Sequence, residues 1–335
     1  MTLRTRAAVL SLAVAGALVP AVAGPPSAAA DEQTYGAVGV TGLTGGSGTQ
    51  LYVLAIGADG HVVTATPLGG KRSSFLSITD VRGTTAVGTR QTNDGTDVIS
   101  VDLVTGAVTT VAKSGYSPVL SFNGQRVLYV KQSNSQKPGS QPILRAPVTG
   151  GAPQKVLSPP KGRNFDGLAT AQDGHTVYAT AATPLQGGTQ ADFARLRPPL
   201  LYRFDIAKPA LTKVALKAPL YGVSCASLAV DLTGSHIALG CNITQGDDPV
   251  VDIVTLPSHA VHQVPRKVGL RSVTAWSPDG QWIDASNARA TANDSFDLAR
   301  PFGTAHHKLT GFPAGAFVNS VTLVRPGATL QPLER

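Results

Sequence analysis

The sequence predicts an all-β protein: a six-bladed β-propeller closed by pairing of the C-terminal hairpin with the N-terminal hairpin. Three observations predict it. A unit made of a hydrophobic run, a turn and a second run rich in Val and Thr recurs six times. A second apolar hairpin, with glycine in its turn, lies between consecutive copies. The composition suits many short strands, because 36 Gly and 24 Pro interrupt any long helical period while 42% hydrophobic residues supply a core. Disorder throughout is excluded by that apolar content, with only 14% of residues charged. Two cysteines exclude a multi-disulfide scaffold and a four-thiolate zinc site.

Residues 1–30 read as a secretory signal peptide. Arg4 and Arg6 give a positive start, Ala7 to Ala23 run apolar, and Ala28-Ala29-Ala30 offers the small-residue cleavage pattern. The stretch is Ala-rich with few Leu, which suits a cleaved leader better than a membrane anchor. No transmembrane segment is expected after its removal. Loss of Arg4 and Arg6 lowers the formal charge from +8 to +6. Residues 31–50 are Gly/Thr-rich and read as a linker or an extra strand. Residues 51–335 form the propeller.

The six copies of the first unit start at Leu51, Asp97, Ile143, Leu201, Val250 and Phe296, giving spacings of 46, 46, 58, 49 and 46 residues. Five copies of the second unit centre on Gly83, Gly124, Gly174, Gly234 and Gly280. Glycine there supplies the backbone freedom of a tight turn, and a preceding Asp or Asn bonds its local backbone. Two hairpins in about 47 residues make four strands per period, the arithmetic of a propeller blade. The missing sixth inner pair is expected at Phe317 to Leu330, joining the N-terminal hairpin at residues 51–66 and leaving no free sheet edge.

Trp276-Ser277-Pro278-Asp279-Gly280-Gln281-Trp282-Ile283 resembles the S-P-D-G-x-x-I/L core of TolB-type propeller repeats, with looser echoes at Asn123-Gly124, Asp173-Gly174 and Thr233-Gly234. The resemblance implies a six-bladed ring. Its functions are mixed, mostly binding modules, with some members fused to hydrolase domains, and no fused domain fits in this chain.

Cys225 and Cys241 flank a predicted hairpin whose turn centres on residue 233, so they fall opposite each other across it. In an oxidising compartment they are expected to form a disulfide.

The histidines show no metal spacing on a helix, and no H-E-x-x-H, G-x-S-x-G elbow or P-loop occurs. Asp247-Asp248 supplies too few oxygens for a calcium loop. No metal, no cofactor and no catalytic residue is assigned. In a propeller the loops between second and third strands, and those between blades, share one face. Sorting the charges on that basis puts fifteen Lys/Arg against six Asp on it, with few cations opposite. Pro184 to Pro199 adds a long insertion there. The candidate ligand-binding residues are Lys161, Arg163, Arg195, Arg197, Arg266, Lys267 and Arg271. The reading is a secreted, monomeric, non-catalytic propeller that binds a protein or an anionic envelope polymer outside the cell or in its envelope. Nucleic acid is not expected, since aromatic residues make up only 5% and none interleave with the cations. The alternative is a propeller enzyme, a hydrolase or lyase, with its site at the mouth of the central channel and Asp94, Asp166, His175 or Asp248 recruited to it.

Overall fold

The computed structural model describes residues 33–43, 48–121, 123–133, 137–185, 196–242, 250–287, 296–313 and 317–324. The predicted leader lies outside them. Alternating apolar runs separated by turn residues give 24 strands in six four-stranded antiparallel sheets. Blade 1 holds β1 (Thr34–Gly42), β2 (Thr49–Gly57) and β3 (Val62–Arg72). Blade 2 is β4 (Leu76–Arg82), β5 (Thr85–Thr92), β6 (Gly95–Asp102) and β7 (Val108–Ala112). Blade 3 is β8 (Gly115–Leu120), β9 (Arg126–Lys131), β10 (Ile143–Pro147) and β11 (Gln154–Leu157). Blade 4 is β12 (Asn164–Thr170), β13 (Thr176–Ala182), β14 (Leu200–Asp205) and β15 (Thr212–Lys213). Blade 5 is β16 (Ser224–Val230), β17 (His236–Asn242), β18 (Val250–Thr255) and β19 (Ala260–Gln263). Blade 6 is β20 (Leu270–Trp276), β21 (Ile283–Asn287), β22 (Phe296–Ala299) and β23 (His306–Lys308), and β24 (Phe317–Leu323) returns to blade 1.

The six repeated hairpins of the sequence are the third and fourth strands of the six blades, and the five glycine-turn hairpins are the first and second strands of blades 2 to 6. All five of those glycines adopt a left-handed backbone, with φ between 56° and 70°, where a side chain would be strained. The ring closes through the chain ends as expected, but the sixth inner pair is shared between them. β24 supplies its first strand and β1 its second, so the sheet order is β24-β1-β2-β3. The Gly/Thr-rich stretch of residues 31–50 thus contributes a strand buried on both faces, with Ala37 opposite Leu323 on one side and Leu54 on the other. Its glycines are needed there. A Cβ on Gly42 would stand 2.0 Å from the Phe317 ring, and one on Gly39 would stand 2.6 Å from a Leu54 methyl.

Six apolar clusters form the core, one at each blade interface. Blades are also stitched by polar contacts from their inner strands. Trp276 Nε1 donates to the Ala229 carbonyl at 2.9 Å, Thr180 Oγ1 to the Cys225 carbonyl at 2.6 Å, and the Ile78 N–H to Ser320 Oγ at 3.0 Å. Trp276 and Trp282 are both buried in these interfaces. Cys225 and Cys241 form a disulfide across β16 and β17, with a Cα–Cα distance of 4.0 Å. A register irregularity between Ser224 and Ser227 places them face to face.

Candidate binding face

Two sets of connections emerge from the blades. One joins first to second and third to fourth strands in tight turns, the turn face. The other joins second to third strands and blade to blade, the loop face, and its connections range from the short β5–β6 and β7–β8 turns to the long β13–β14 insertion. On the turn face, Asp and Asn side chains are used on their own backbone. Asp102 accepts from the Val104 and Thr105 N–H groups, Asp173 from His175 and Thr176, and Asp231 from Ser235 and His236. These bonds hold the Asp102 and Asp173 carboxyls below their ordinary range against the opposing effect of burial. Asp279 of the S-P-D-G turn accepts from Ser277, from the Gln281 N–H, and from Gln33 and Tyr35 of the N-terminal segment. The turn thereby staples β1 to blade 6.

Arg82, at the turn-face end of β4, has its side chain largely buried. Its Nη2 reaches across from blade 2 to Thr170 Oγ1 and the Ala171 carbonyl of blade 4, both at 2.9 Å, with Asp80 3.9 Å away. This arginine fills the turn-face end of the central channel. The loop-face half holds a cavity of about 200 Å³ lined by Ser77, Thr79, Ser117, Leu168, Leu228, Ser272 and Thr274 among others. Its hydroxyls are engaged by the walls: Thr79 donates to the Pro118 carbonyl of blade 3 at 2.7 Å, Ser117 to the Ala226 carbonyl of blade 5 at 3.1 Å, and Thr274 to Asp284 of its own blade at 2.8 Å.

The predicted site residues divide into three groups. Lys161, Arg197, Arg266, Lys267 and Arg271 are exposed, and no ion pair joins them to a carboxylate among the described residues. Arg163 is partly buried and structural. Its Nη1 donates to the Ala181 carbonyl at 2.9 Å and the Pro198 carbonyl at 3.0 Å, closing the base of the insertion. Burial, and then the neighbouring Arg197 charge, lower its affinity for a proton. Arg195 lies outside the described residues, as do Asp192, Asp247, Asp248, Arg289 and Asp294. The exposed residues fall in two places, Lys161 and Arg197 on blade 4 and Arg266, Lys267 and Arg271 at the junction of blades 5 and 6. Lys217, in the β15–β16 connection, does not join them: its N–H bonds the His259 carbonyl of the β18–β19 turn at 2.9 Å, at the turn-face end of blade 5.

A second cavity, about 260 Å³, lies at the base of the insertion between blades 3, 4 and 5, walled by Phe165, Pro184, Leu185, Leu196 and Val223. Asp166 stands at its polar end, where Ser224 Oγ donates to it at 2.7 Å. Burial pushes the Asp166 carboxyl up, against the Ser224 and Cys225 N–H bonds that favour its charge. His175 is on the turn face and Asp94 on the exposed β5–β6 turn, so the structure does not gather them with Asp166. No group of three or more metal-ligating side chains forms among the described residues.

Sequence reasoning missed Tyr221, 41% exposed, with the Arg266 guanidinium stacked 4.6 Å from its ring centre. It also missed buried acids that recur early in third strands: Asp97, Asp252 and Asp297. Alignment of the repeats carries that signal, because each precedes an apolar pair. Asp97 is paired with Arg90 at 2.9 Å, Asp297 with His306 at 2.8 Å, and Asp252 accepts the Tyr221 N–H at 2.7 Å.

No family model and no curated protein matches the chain in sequence. Solved structures do resemble it. TolB from Acinetobacter baumannii superposes with a TM-score of 0.60 at 15% identity, covering 87% of this chain and 67% of that one. A chain of a nidogen–laminin complex gives 0.57 at 12% identity over 86% and 98%. A putative TolB from Agrobacterium tumefaciens gives 0.50 at 12% identity over 87% and 99%. With six four-stranded blades, closure through both termini and these likenesses together, the chain has the six-bladed β-propeller fold of TolB-type proteins.

Proposed function

We propose that the protein is a secreted, non-catalytic binding module that engages an anionic or protein partner through its loop face. One observation carries this reading: Lys161, Arg197, Arg266, Lys267 and Arg271 are exposed on that face and spend no charge on a carboxylate among the described residues. Unpaired cations on one side of a disc raise the local potential and steer anionic partners. Export is supported by the layout of residues 1–30 and by the disulfide, which persists in oxidising compartments. Among the described residues no helix is long and apolar enough to cross a membrane. Binding of protein by such a scaffold is supported by the similar chain of the nidogen–laminin complex.

The test is retention on an immobilised anionic polymer as a function of salt. The protein should be held at about 0.01 M salt, where the Debye length is about 30 Å, and released by about 0.15 M, where it is about 8 Å. Joint substitution of Lys161→Gln and Arg197→Gln should bring release at lower salt. Failure to bind at the lowest salt would remove the electrostatic reading.

A further inference from the structure

The geometry points to a defined subsite for an acidic polysaccharide at the junction of blades 5 and 6, made of Tyr221, Arg266, Lys267 and Arg271. This rests on the loop-face reading above and names the chemistry of one place on that face. Arg266 differs from the other exposed cations in being held. Its guanidinium lies over the Tyr221 ring at 4.6 Å, and both partners sit on pinned backbone. The Tyr221 N–H donates to Asp252 Oδ2 at 2.7 Å, and the Val223 N–H to the Asn242 carbonyl at 2.8 Å. Gly222 between them has φ 105°, and a Cβ there would stand 2.4 Å from the Asn242 oxygen. Arg266 opens a 3-10 turn, Arg266–Val268, anchored by buried Val268 and closed by the Gly269 N–H on the Arg266 carbonyl.

A guanidinium held over an aromatic ring stays in place, and its planar set of N–H donors matches both oxygens of one oxyanion. Little conformational entropy remains to be lost when that oxyanion arrives. Beside it, the exposed part of Tyr221 offers an apolar surface of the kind on which the C–H face of a pyranose packs. Lys267 and Arg271, exposed on the same connection and the strand that follows it, supply charge for neighbouring units. An aromatic surface and a fixed guanidinium side by side suit a sugar that carries a carboxylate. A ring-free polyphosphate would use only the charges.

The experiment compares binding of the protein to alginate oligomers, inorganic polyphosphate of matched charge and neutral dextran, at one low ionic strength. Alginate should bind more tightly than polyphosphate, and dextran not at all. Tyr221→Ala should weaken alginate binding about fivefold and change polyphosphate binding by less than about twofold. Tyr221→Phe, which keeps the ring, should bind as the parent does. Arg266→Lys should lose alginate affinity although the charge is kept, because an ammonium lacks the planar fork. Equal loss on alginate and polyphosphate with Tyr221→Ala, or no loss on either, would overturn the saccharide subsite. Polyphosphate binding without alginate binding would overturn the subsite and leave the loop-face reading standing. Binding to neither polymer would overturn both.

Discussion

The two faces of the ring treat polar side chains in opposite ways. On the turn face the acids Asp102, Asp173, Asp231 and Asp279 accept hydrogen bonds from the N–H groups of the turns they sit in. Their charge is spent on shape, and Arg82 is drawn inward to fill the channel end. On the loop face, which carries the longest connections, five of the seven predicted cations remain exposed with no carboxylate partner among the described residues. Even there the division is internal. Arg163 is occupied by two backbone carbonyls, while Arg197 nearby is free to meet solvent. Charge count alone does not mark a binding surface; what matters is whether the fold has already used the charge.

This contrast predicts that changes in the blades alter stability and leave polymer binding alone. The largest such effect should come from Asp284 in β21. It is fully buried, with one carboxyl oxygen that finds no partner among the described residues, and burial pushes its carboxyl up to about 8 from a usual 3.8. Between those values the unfolded chain ionises while the folded one keeps its proton. Stability should therefore fall as pH climbs from about 4 to about 8 and level off above. Asp284→Asn should remove that decline without changing retention on an anionic polymer. Thermal melts at several pH values check it, and an unchanged pH slope in the variant would contradict the assignment.

The next effect belongs to the disulfide, which ties the loop-face ends of β16 and β17. Replacing Cys225 and Cys241 together by Ala should cost about 3 kcal/mol for a loop of this length. Denaturant titration measures the loss. With both polymer and loop face intact, binding of the folded variant should be unchanged, and a large loss of affinity would mean that blade 5 must be locked for binding.

The repeat made much of the fold legible in the chain. Six hairpins and five glycine turns fall on the strands their periodicity implied, and the cysteines bridge the two strands of one such turn, set opposite each other by the irregularity between Ser224 and Ser227. The identity of the closing strand was not legible. β1 (TYGAVGVTG) has the composition of a linker, and its glycines are explained only by Phe317 and Leu54, which come from distant sequence. Local patterning cannot report a pairing between the two ends of a chain. The proposed binding face was visible as charge but not as geometry. Sequence sorted these cations onto one face, yet it could not tell Arg163, which holds two backbone carbonyls, from Arg197, which makes no such bond among the described residues. It also gave no reason to look at Tyr221, whose role follows from an arginine 45 positions later in the chain.

The account stands most directly on a comparison of charge removed from each face. In one variant Lys161, Arg197, Arg266, Lys267 and Arg271 become Gln; in the other, the exposed Arg126 and Lys208 at the turn-face ends of their blades do. Salt-dependent retention on an anionic polymer is then measured for both and for the parent. The loop-face variant should lose retention at every salt concentration that holds the parent and keep its melting temperature, while the turn-face variant should elute close to the parent. Equal losses from the two faces, or retention that survives the loop-face variant, would contradict a binding surface built from loop-face cations.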